Sequence, residues 1–248
     1  MPITVELKDV LKNTYDPDDG KTASREFKHS PDAVANGLKN PDELIITTNV
    51  TVNNSGKPTR IFTKVNDTLS AYTKTYHITA AVIYRGNLIF TSPTDTTIGH
   101  YYTIVKIQKT PDVWIRLDDE HIYDYNTADA ERDLKGFRNT YHSTVQFVLP
   151  YVLLYSIEGV LPKPVFSGTK NFGNTCFVNS VVNLLTATNE FQSNRMKTYS
   201  PYMYNFILSY IHQTINENDS EIFIKEIMNL TDATYSWGKQ ADASEFLM

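Results

Sequence analysis

Residues 168–180 read Gly168-Thr169-Lys170-Asn171-Phe172-Gly173-Asn174-Thr175-Cys176-Phe177-Val178-Asn179-Ser180 and contain the only cysteine of the chain. Glycine, asparagine and threonine before Cys176 are typical of a turn, and apolar residues at helical spacing follow it. This pattern predicts that Cys176 begins a helix, where the positive end of the helix dipole favours a thiolate. Backbone N–H groups of such a turn can also stabilise an oxyanion. The stretch therefore favours a nucleophilic cysteine over a buried, inert thiol.

A second candidate group lies upstream, at Gly99-His100-Tyr101-Tyr102 and Trp114-Ile115-Arg116-Leu117-Asp118-Asp119. A nucleophilic thiol needs an imidazole base and a carboxylate that orients the base, and these stretches contain both groups. The chain has six histidines, and an acidic run is commonly a solvated turn. Neither stretch establishes a triad by itself.

Taken together, the two groups resemble the cysteine box and the histidine box of the ubiquitin-specific proteases. The resemblance implies that Cys176 is the nucleophile, His100 the base and Asp118 the acid that orients the base. It also implies that Asn171 donates to the oxyanion and that Asp119 is a secondary acidic helper. It also implies a deubiquitinating thiol isopeptidase that hydrolyses the bond after the C-terminal glycine of ubiquitin.

The order of the two boxes is reversed relative to that family, in which the cysteine box comes first. The resemblance therefore implies a circular permutation, with a β-rich half in residues 1–158, a linker in 159–167 and a helical half in 168–248. Nine linker residues reach at most about 30 Å, and permutation is tolerated where termini lie close together. We expect an α+β, papain-like fold with a helical thumb and an antiparallel β palm with reduced fingers.

Substrate contacts are implied by Gln240-Ala241-Asp242-Ala243-Ser244-Glu245-Phe246-Leu247, which resembles a helix of the same family. Asp242 is the residue expected to meet the basic tail of ubiquitin, and Gln240, Glu245 and Tyr101 are further candidates. A single cysteine cannot form the two Cys-x-x-Cys pairs of the family's zinc finger, so no metal or other cofactor is expected.

Composition limits the remaining function classes. Hydrophobic residues make up 41% and charged residues 21%, which is typical of a globular protein. The net charge of −5, without a basic run, does not favour a nucleic-acid partner. The longest apolar run, 147–155, is shorter than the ~20 residues of a membrane helix. One cysteine and no signal pattern fit a reducing cytoplasmic or nuclear compartment.

Four alternatives remain open at this stage. The chain could hold ubiquitin or a ubiquitin-like protein without cutting it, or it could process another ubiquitin-like modifier. It could also span a junction of two tandem domains, although each half is short for an independent core. A monomer is expected, with a domain-swapped dimer as the alternative.

Periodicity predicts the elements that would carry these motifs. Strands are expected at 44–46, 78–84, 101–107, 114–117 and 145–157. Helices are expected at 6–11, behind Cys176, and from Ser200, Ser220 and Gln240 onward.

Overall fold

The computed structural model describes residues 4–6, 42–48, 50–54, 57–71, 74–86, 99–141, 144–157, 160–161, 167–189, 204–206, 208–209, 217–230, 241, 243 and 246. The strands are β1 Thr4–Glu6, β2 Glu43–Thr47, β3 Val50–Asn54, β4 Lys57–Lys64, β5 Thr68–Ala71, β6 Lys74–Gly86, β7 Gly99–Lys109, β8 Asp112–Asp118, β9 His121–Tyr125, β10 Phe137–Tyr141 and β11 Thr144–Ile157. The helices are α1 Thr127–Lys135, α2 Cys176–Thr186 and α3 Glu217–Leu230.

An eight-stranded sheet organises the described part of the chain. Its main order is β10-β11-β6-β7-β8-β9, with β2 paired to β11 and β5 paired to β6. Every described pairing in this sheet is antiparallel. A separate sheet of three strands has the order β1-β4-β3, in which the β1–β4 pair is parallel. The expected α+β class with an antiparallel sheet is confirmed.

Strand β6 shows why the sheet is buried on both faces. Its residues 78–84 are all buried, as expected for a central strand rich in apolar residues. Side chains alternate along it, so Val82 and Tyr84 join the core cluster beneath α2, whereas Ala81 and Ile83 join the cluster on the opposite face.

Helix α2 covers the first of these faces. All but one of its residues are buried, with Leu185 partly exposed, so the helix is enclosed on nearly every side. Phe177, Val178 and Val181 pack into the same cluster as Leu117 of β8. A buried hydrogen bond of 2.8 Å from Thr103 Oγ1 to the Ser180 carbonyl fixes the helix on β7. The Cys176 segment and the His100 segment therefore share one core.

Helix α1 lies near the other face and contains a buried carboxylate. Asn126 caps its N-terminus by accepting a hydrogen bond from the Asp129 N–H at 2.8 Å. Asp133 is 1% exposed and accepts a hydrogen bond of 2.7 Å from the Tyr102 hydroxyl and another from Tyr125. These bonds attach the helix to β7 and β9.

Most expected elements within the described residues are present. Strands occupy all five predicted positions, and α2 begins at Cys176 as predicted. Helix α3 begins at Glu217, three residues before Ser220, while β3, β4, β5, β9, β10 and α1 were not predicted. Glu6 lies in β1 instead of the predicted helix, and residues 7–11 lie outside the described residues. The predicted starts at Ser200 and Gln240 also lie outside them. No described helix is long and apolar enough to cross a membrane.

Replacing Leu184 by alanine tests whether α2 and the sheet form one cooperative core. Leu184 is fully buried, so we expect its truncation to lower the free energy of unfolding by about 2–5 kcal/mol. Urea unfolding followed by far-UV circular dichroism and by tryptophan fluorescence should shift together. Ile222→Ala, at a side chain 48% exposed, is the control and should cost less than about 1 kcal/mol. Separate shifts for the two signals would contradict a shared core.

Candidate active site

The antiparallel pairing of β7 and β8 brings the histidine and the first aspartate together. His100 lies near the start of β7, and Asp118 ends β8. Thr103 faces Leu117 in the register of this pair, so the start of β7 and the end of β8 meet at one end of the sheet. His100 Nε2 is hydrogen-bonded to Asp118 Oδ1.

The imidazole of His100 also contacts the thiol. The side chain of Cys176 lies close enough to the ring to act on its pKa. The hydrogen bond from Asp118 and then that from Cys176 raise the pKa of His100 to about 10, against the opposing effect of burial. The ring is therefore an imidazolium at neutral pH. This pairing stabilises the fold fully below about pH 6.5 and is lost as the pH rises through about 10.

Asp118 is held as a carboxylate by two partners. Burial alone would raise its pKa, but the hydrogen bond and charge of His100, together with Arg116, lower the pKa overall. Arg116 donates through Nη2 to the second carboxylate oxygen. Its guanidinium carbon lies 3.9 Å from the centroid of the Tyr102 ring, so the arginine is itself fixed by a cation–π contact.

Cys176 is the first residue of α2 and carries a free thiol that is almost fully buried, with 3% of the residue exposed. The position agrees with the expectation of a cysteine at a helix N-terminus. A histidine beside the sulfur supplies the partner that a nucleophilic cysteine needs. The arrangement can therefore generate a nucleophile.

The loop before Cys176 packs on the turn between β8 and β9. The Thr169 N–H donates to the Asp119 carbonyl at 2.9 Å. Next to it, a Cβ on Gly168 would lie 2.2 Å from the backbone oxygen of Glu120, so only glycine permits this approach. Asp119 has a φ of 52°, a left-handed conformation that aspartate tolerates better than most residues.

Asp119 binds two asparagine side chains of the cysteine segment. Asn171 Nδ2 donates to Asp119 Oδ2 at 3.0 Å, and Asn179 Nδ2 donates to Asp119 Oδ1 at 2.8 Å. The Asn171 carbonyl oxygen accepts from the backbone N–H groups of Gly173 and Thr175 at 3.0 and 3.2 Å. These bonds fix the Asn171 amide and use one of its two N–H groups, which leaves the second for an oxyanion. In this structure Asp119 thus orients Asn171, while Asp118 orients His100.

Of the four substrate contacts expected from the sequence, the structure describes only Tyr101. Tyr101 is 2% exposed, and its ring packs 5.1 Å from Tyr84 and 5.5 Å from Tyr151, centroid to centroid. Tyr101 belongs to the core cluster on the face of β7 that α2 covers, and its role as a substrate contact stays a prediction. Gln240, Asp242 and Glu245 lie outside the described residues, so their role stays a prediction.

Two site residues were missed by the sequence reasoning. Arg116 had a signal, because residues two apart on a strand share a face and Arg116 precedes Asp118 by two. Asn179 lies inside the cysteine segment, but its contact with Asp119 joins distant parts of the chain and has no local signal.

A metal is not needed to explain the clustered polar groups. Among the described residues, His100, Asp118 and Asp119 each place a possible ligand atom within 4.8 Å of the others. His100 and Asp118 are bonded to each other, and both Asp119 oxygens accept from asparagine amides. The hydrogen bonds within the site account for the cluster.

Comparisons with known proteins concern mainly the C-terminal third of the chain. Residues 167–248 match the family model described as ubiquitin carboxyl-terminal hydrolase. No curated protein sequence matches. Similar solved structures include an essential yeast splicing factor, with 16% identity and a TM-score of 0.30 over 48% of this chain and 25% of that one. Two structures of the yeast SAGA DUB module give 17% identity, TM-scores of 0.31 and 0.29, and coverage of 48% and 24%.

The chain thus spans about a quarter of the length of these chains, and TM-scores near 0.3 support no conclusion about fold or activity. The family match is independent of them and includes Cys176, Asn171 and the whole of α2. Over residues 167–248, about a third of the chain, this protein is similar to the ubiquitin carboxyl-terminal hydrolase family.

Proposed function

We propose that this chain is a deubiquitinating thiol isopeptidase that hydrolyses the bond after the C-terminal glycine of ubiquitin. The observation that carries the proposal is the contact of His100 with both Cys176 and Asp118. The family match on 167–248 independently supports a hydrolase of this class.

The proposed reaction uses the imidazolium–thiolate pair in two stages. The Cys176 sulfur attacks the glycine carbonyl carbon, and its electron pair forms the C–S bond while the carbonyl oxygen becomes an oxyanion. His100 then donates its proton to the lysine nitrogen as the C–N bond breaks, leaving a thioester. In the second stage neutral His100 takes a proton from water, and the hydroxide attacks the thioester. The C–S bond breaks and the sulfur leaves as a thiolate, while ubiquitin leaves as a carboxylic acid that passes its proton to the released amine or to water.

Five other side chains serve this reaction by position or charge. Asp118 orients the ring of His100, and Arg116 holds Asp118 in turn. Asn171 donates to the oxyanion through its remaining N–H, and Asp119 and Asn179 act as positioning residues for it.

The reversed order of the boxes is consistent with a circular permutation. Residues from 80–154 and 176–187 contribute to one hydrophobic cluster, as expected if 1–158 and 168–248 are the two parts of a single domain joined by 159–167. One chain supplies both His100 and Cys176, which favours a single site over a tandem junction or a swapped dimer. We also propose that the finger region of this domain is reduced, as expected from the sequence.

A module that binds ubiquitin, or a ubiquitin-like protein, without cutting it is the second candidate. The near-complete burial of Cys176 favours it, because attack requires access to the sulfur. Turnover separates the two candidates. Hydrolysis of a ubiquitin–fluorophore amide that is lost in Cys176→Ala would exclude the binder.

Covalent labelling tests the proposed nucleophile. A ubiquitin with a thiol-reactive electrophile at its C-terminus should form a stable adduct with the wild-type chain, detected by intact mass. The chain has one cysteine, so Cys176→Ala should remove the adduct completely. Folded wild-type protein that remains unlabelled would rule out the isopeptidase.

The pH profile of kcat/KM tests the role of Asp118. Because the pKa of His100 is raised to about 10, activity should persist through neutral pH and fall as the imidazolium loses its proton near that value. Asp118→Asn removes the strongest cause of the shift, so the alkaline decline should move to lower pH, and kcat should fall about 10³–10⁴-fold.

The matched control is Asp112→Asn, at the opposite end of β8, where the carboxylate pairs with Lys106 at 2.7 Å. It should keep the wild-type pH profile. An Asp118→Asn variant with the alkaline limb of the wild type would contradict the assignment.

Asn171→Ala tests the oxyanion donor. Loss of one such donor should lower kcat about 10²–10³-fold with little change in KM, because the interaction forms only in the transition state. Asp119→Ala should reproduce part of this loss while leaving the alkaline limb set by His100 in place. Asn189→Ala, at an exposed side chain bonded to Glu43 at 3.1 Å, is the control and should retain wild-type kcat. A fall in kcat/KM caused by KM alone would contradict the oxyanion role.

A further inference from the structure

An exposed sheet edge and a cavity adjoin the candidate active site. Strand β9 is the last strand of the sheet in the described part of the chain. Its residues 121–124 are exposed, including Ile122 and Tyr123 at 46% each. Only two other large hydrophobic side chains among the described residues are exposed to a similar extent, Ile45 and Ile222. Strand β9 therefore holds two of the four large hydrophobic side chains that are exposed among the described residues, and it lies next to Asp118.

The backbone of β9 is oriented to pair with another strand. Asp118 faces His121 across a turn of two residues, and such flanking residues exchange their hydrogen bonds with each other. The alternation along an antiparallel strand then directs the N–H and C=O groups of Ile122 and Asp124 away from β8. An extended chain laid along β9 would find these groups available.

The cavity lies at the end of the same strand and has a volume of about 310 Å³. It is lined by residues of the β8–β9 turn, by the rings of β9 and by the cysteine segment, namely Asp118, Asp119, Glu120, His121, Tyr123, Lys170 and Asn171. The centroids of the two rings are 5.9 Å apart. The cavity thus adjoins both the triad acid and the oxyanion donor.

The charge of this surface favours a cationic occupant. Three carboxylates line the cavity against one lysine, Lys170, whose ammonium group is ion-paired to Glu217. Asp118 is balanced by His100 and Arg116, so the excess negative charge comes from Asp119 and Glu120. Asp124 adds a further exposed carboxylate on β9.

We propose that β9 and this cavity bind the leaving side of the substrate, an extended, basic segment that carries the modified lysine. The inference rests on the proposed function. His100 must protonate the leaving nitrogen, so the leaving lysine lies beside His100 and its partner Asp118, which borders the cavity.

The test uses ubiquitin joined by an isopeptide bond to the lysine of a short synthetic peptide. One peptide flanks this lysine with further lysines, and the other flanks it with glutamates. For the wild-type chain at low ionic strength, kcat/KM for the basic conjugate should exceed that for the acidic one by at least about fivefold, mainly through KM. Added salt should shrink the ratio.

Glu120→Lys should reduce this ratio to about twofold or less. Glu131→Lys is the matched control, because the side chains of Glu131 and Glu120 are 54% and 55% exposed and Glu131 lies on α1. It should keep the wild-type ratio. Ile122→Pro removes an outward N–H without removing a bond to β8, and it should raise KM for both conjugates.

Hydrolysis of a ubiquitin–fluorophore amide, which has no leaving peptide, reports the chemistry of each variant. A wild-type chain that fails to cleave it overturns the proposed function, and this inference with it. A wild-type chain that cleaves it but shows equal kcat/KM for the two conjugates overturns this inference alone. So does a ratio that Glu120→Lys and Glu131→Lys change equally.

Discussion

The site depends on the interaction of Asp119 with the cysteine segment. This one residue accepts hydrogen bonds from the Thr169 N–H and from the side chains of Asn171 and Asn179. It follows Asp118 directly, so the residue that anchors the loop is covalently attached to the residue that orients the imidazole. Any displacement of the β8–β9 turn would move Asn171 and His100 together. The relative placement of the groups that we propose as catalytic is therefore set by a single turn, not by the length of chain between them.

A second constraint is the electrostatic interaction of charged side chains on the neighbouring strands β7 and β8. Arg116 stabilises the Asp118 carboxylate, and the carboxylate stabilises the His100 imidazolium beside the sulfur. Arg116 lies over Tyr102, whose hydroxyl donates to the buried Asp133 of α1. A neutral ring thus separates the arginine from a second carboxylate, and the pKa of Tyr102 is raised mainly by its burial and also by that carboxylate. The phenol therefore remains a hydrogen-bond donor at every pH relevant to the site, which keeps the support beneath Arg116 unchanged while His100 titrates.

The sequence predicted the elements that carry a strong local signal. The apolar run at 78–84 predicted a strand, and the turn residues before Cys176 predicted the start of α2. Helix α1 was missed because it is nine residues long and mostly charged, although Asn126 and Gly136 mark its ends. Tyr101 follows His100 on β7, and because neighbours on a strand face opposite sides, its ring lies in the core, while its role as a substrate contact stays a prediction. The role of Asn179 could not be predicted, because it depends on Asp119, which is distant in sequence.

The reversed order of the two boxes changes the free energy of bringing them together only slightly, provided that the connection between them is long enough. Closing a loop becomes less favourable only with the logarithm of its length, so the contacts of Asp119 are nearly indifferent to which segment comes first. The length of the connection is the stricter condition. Leu161 lines a cavity with Asp112 at the start of β8, while Gly168 contacts Glu120 just beyond its end. The six steps from Asp112 to Asp118 span about 20 Å, and the seven steps from Leu161 to Gly168 reach at most about 25 Å. Seven steps are therefore enough to bridge the length of β8, so the condition on the connection is met whichever box comes first.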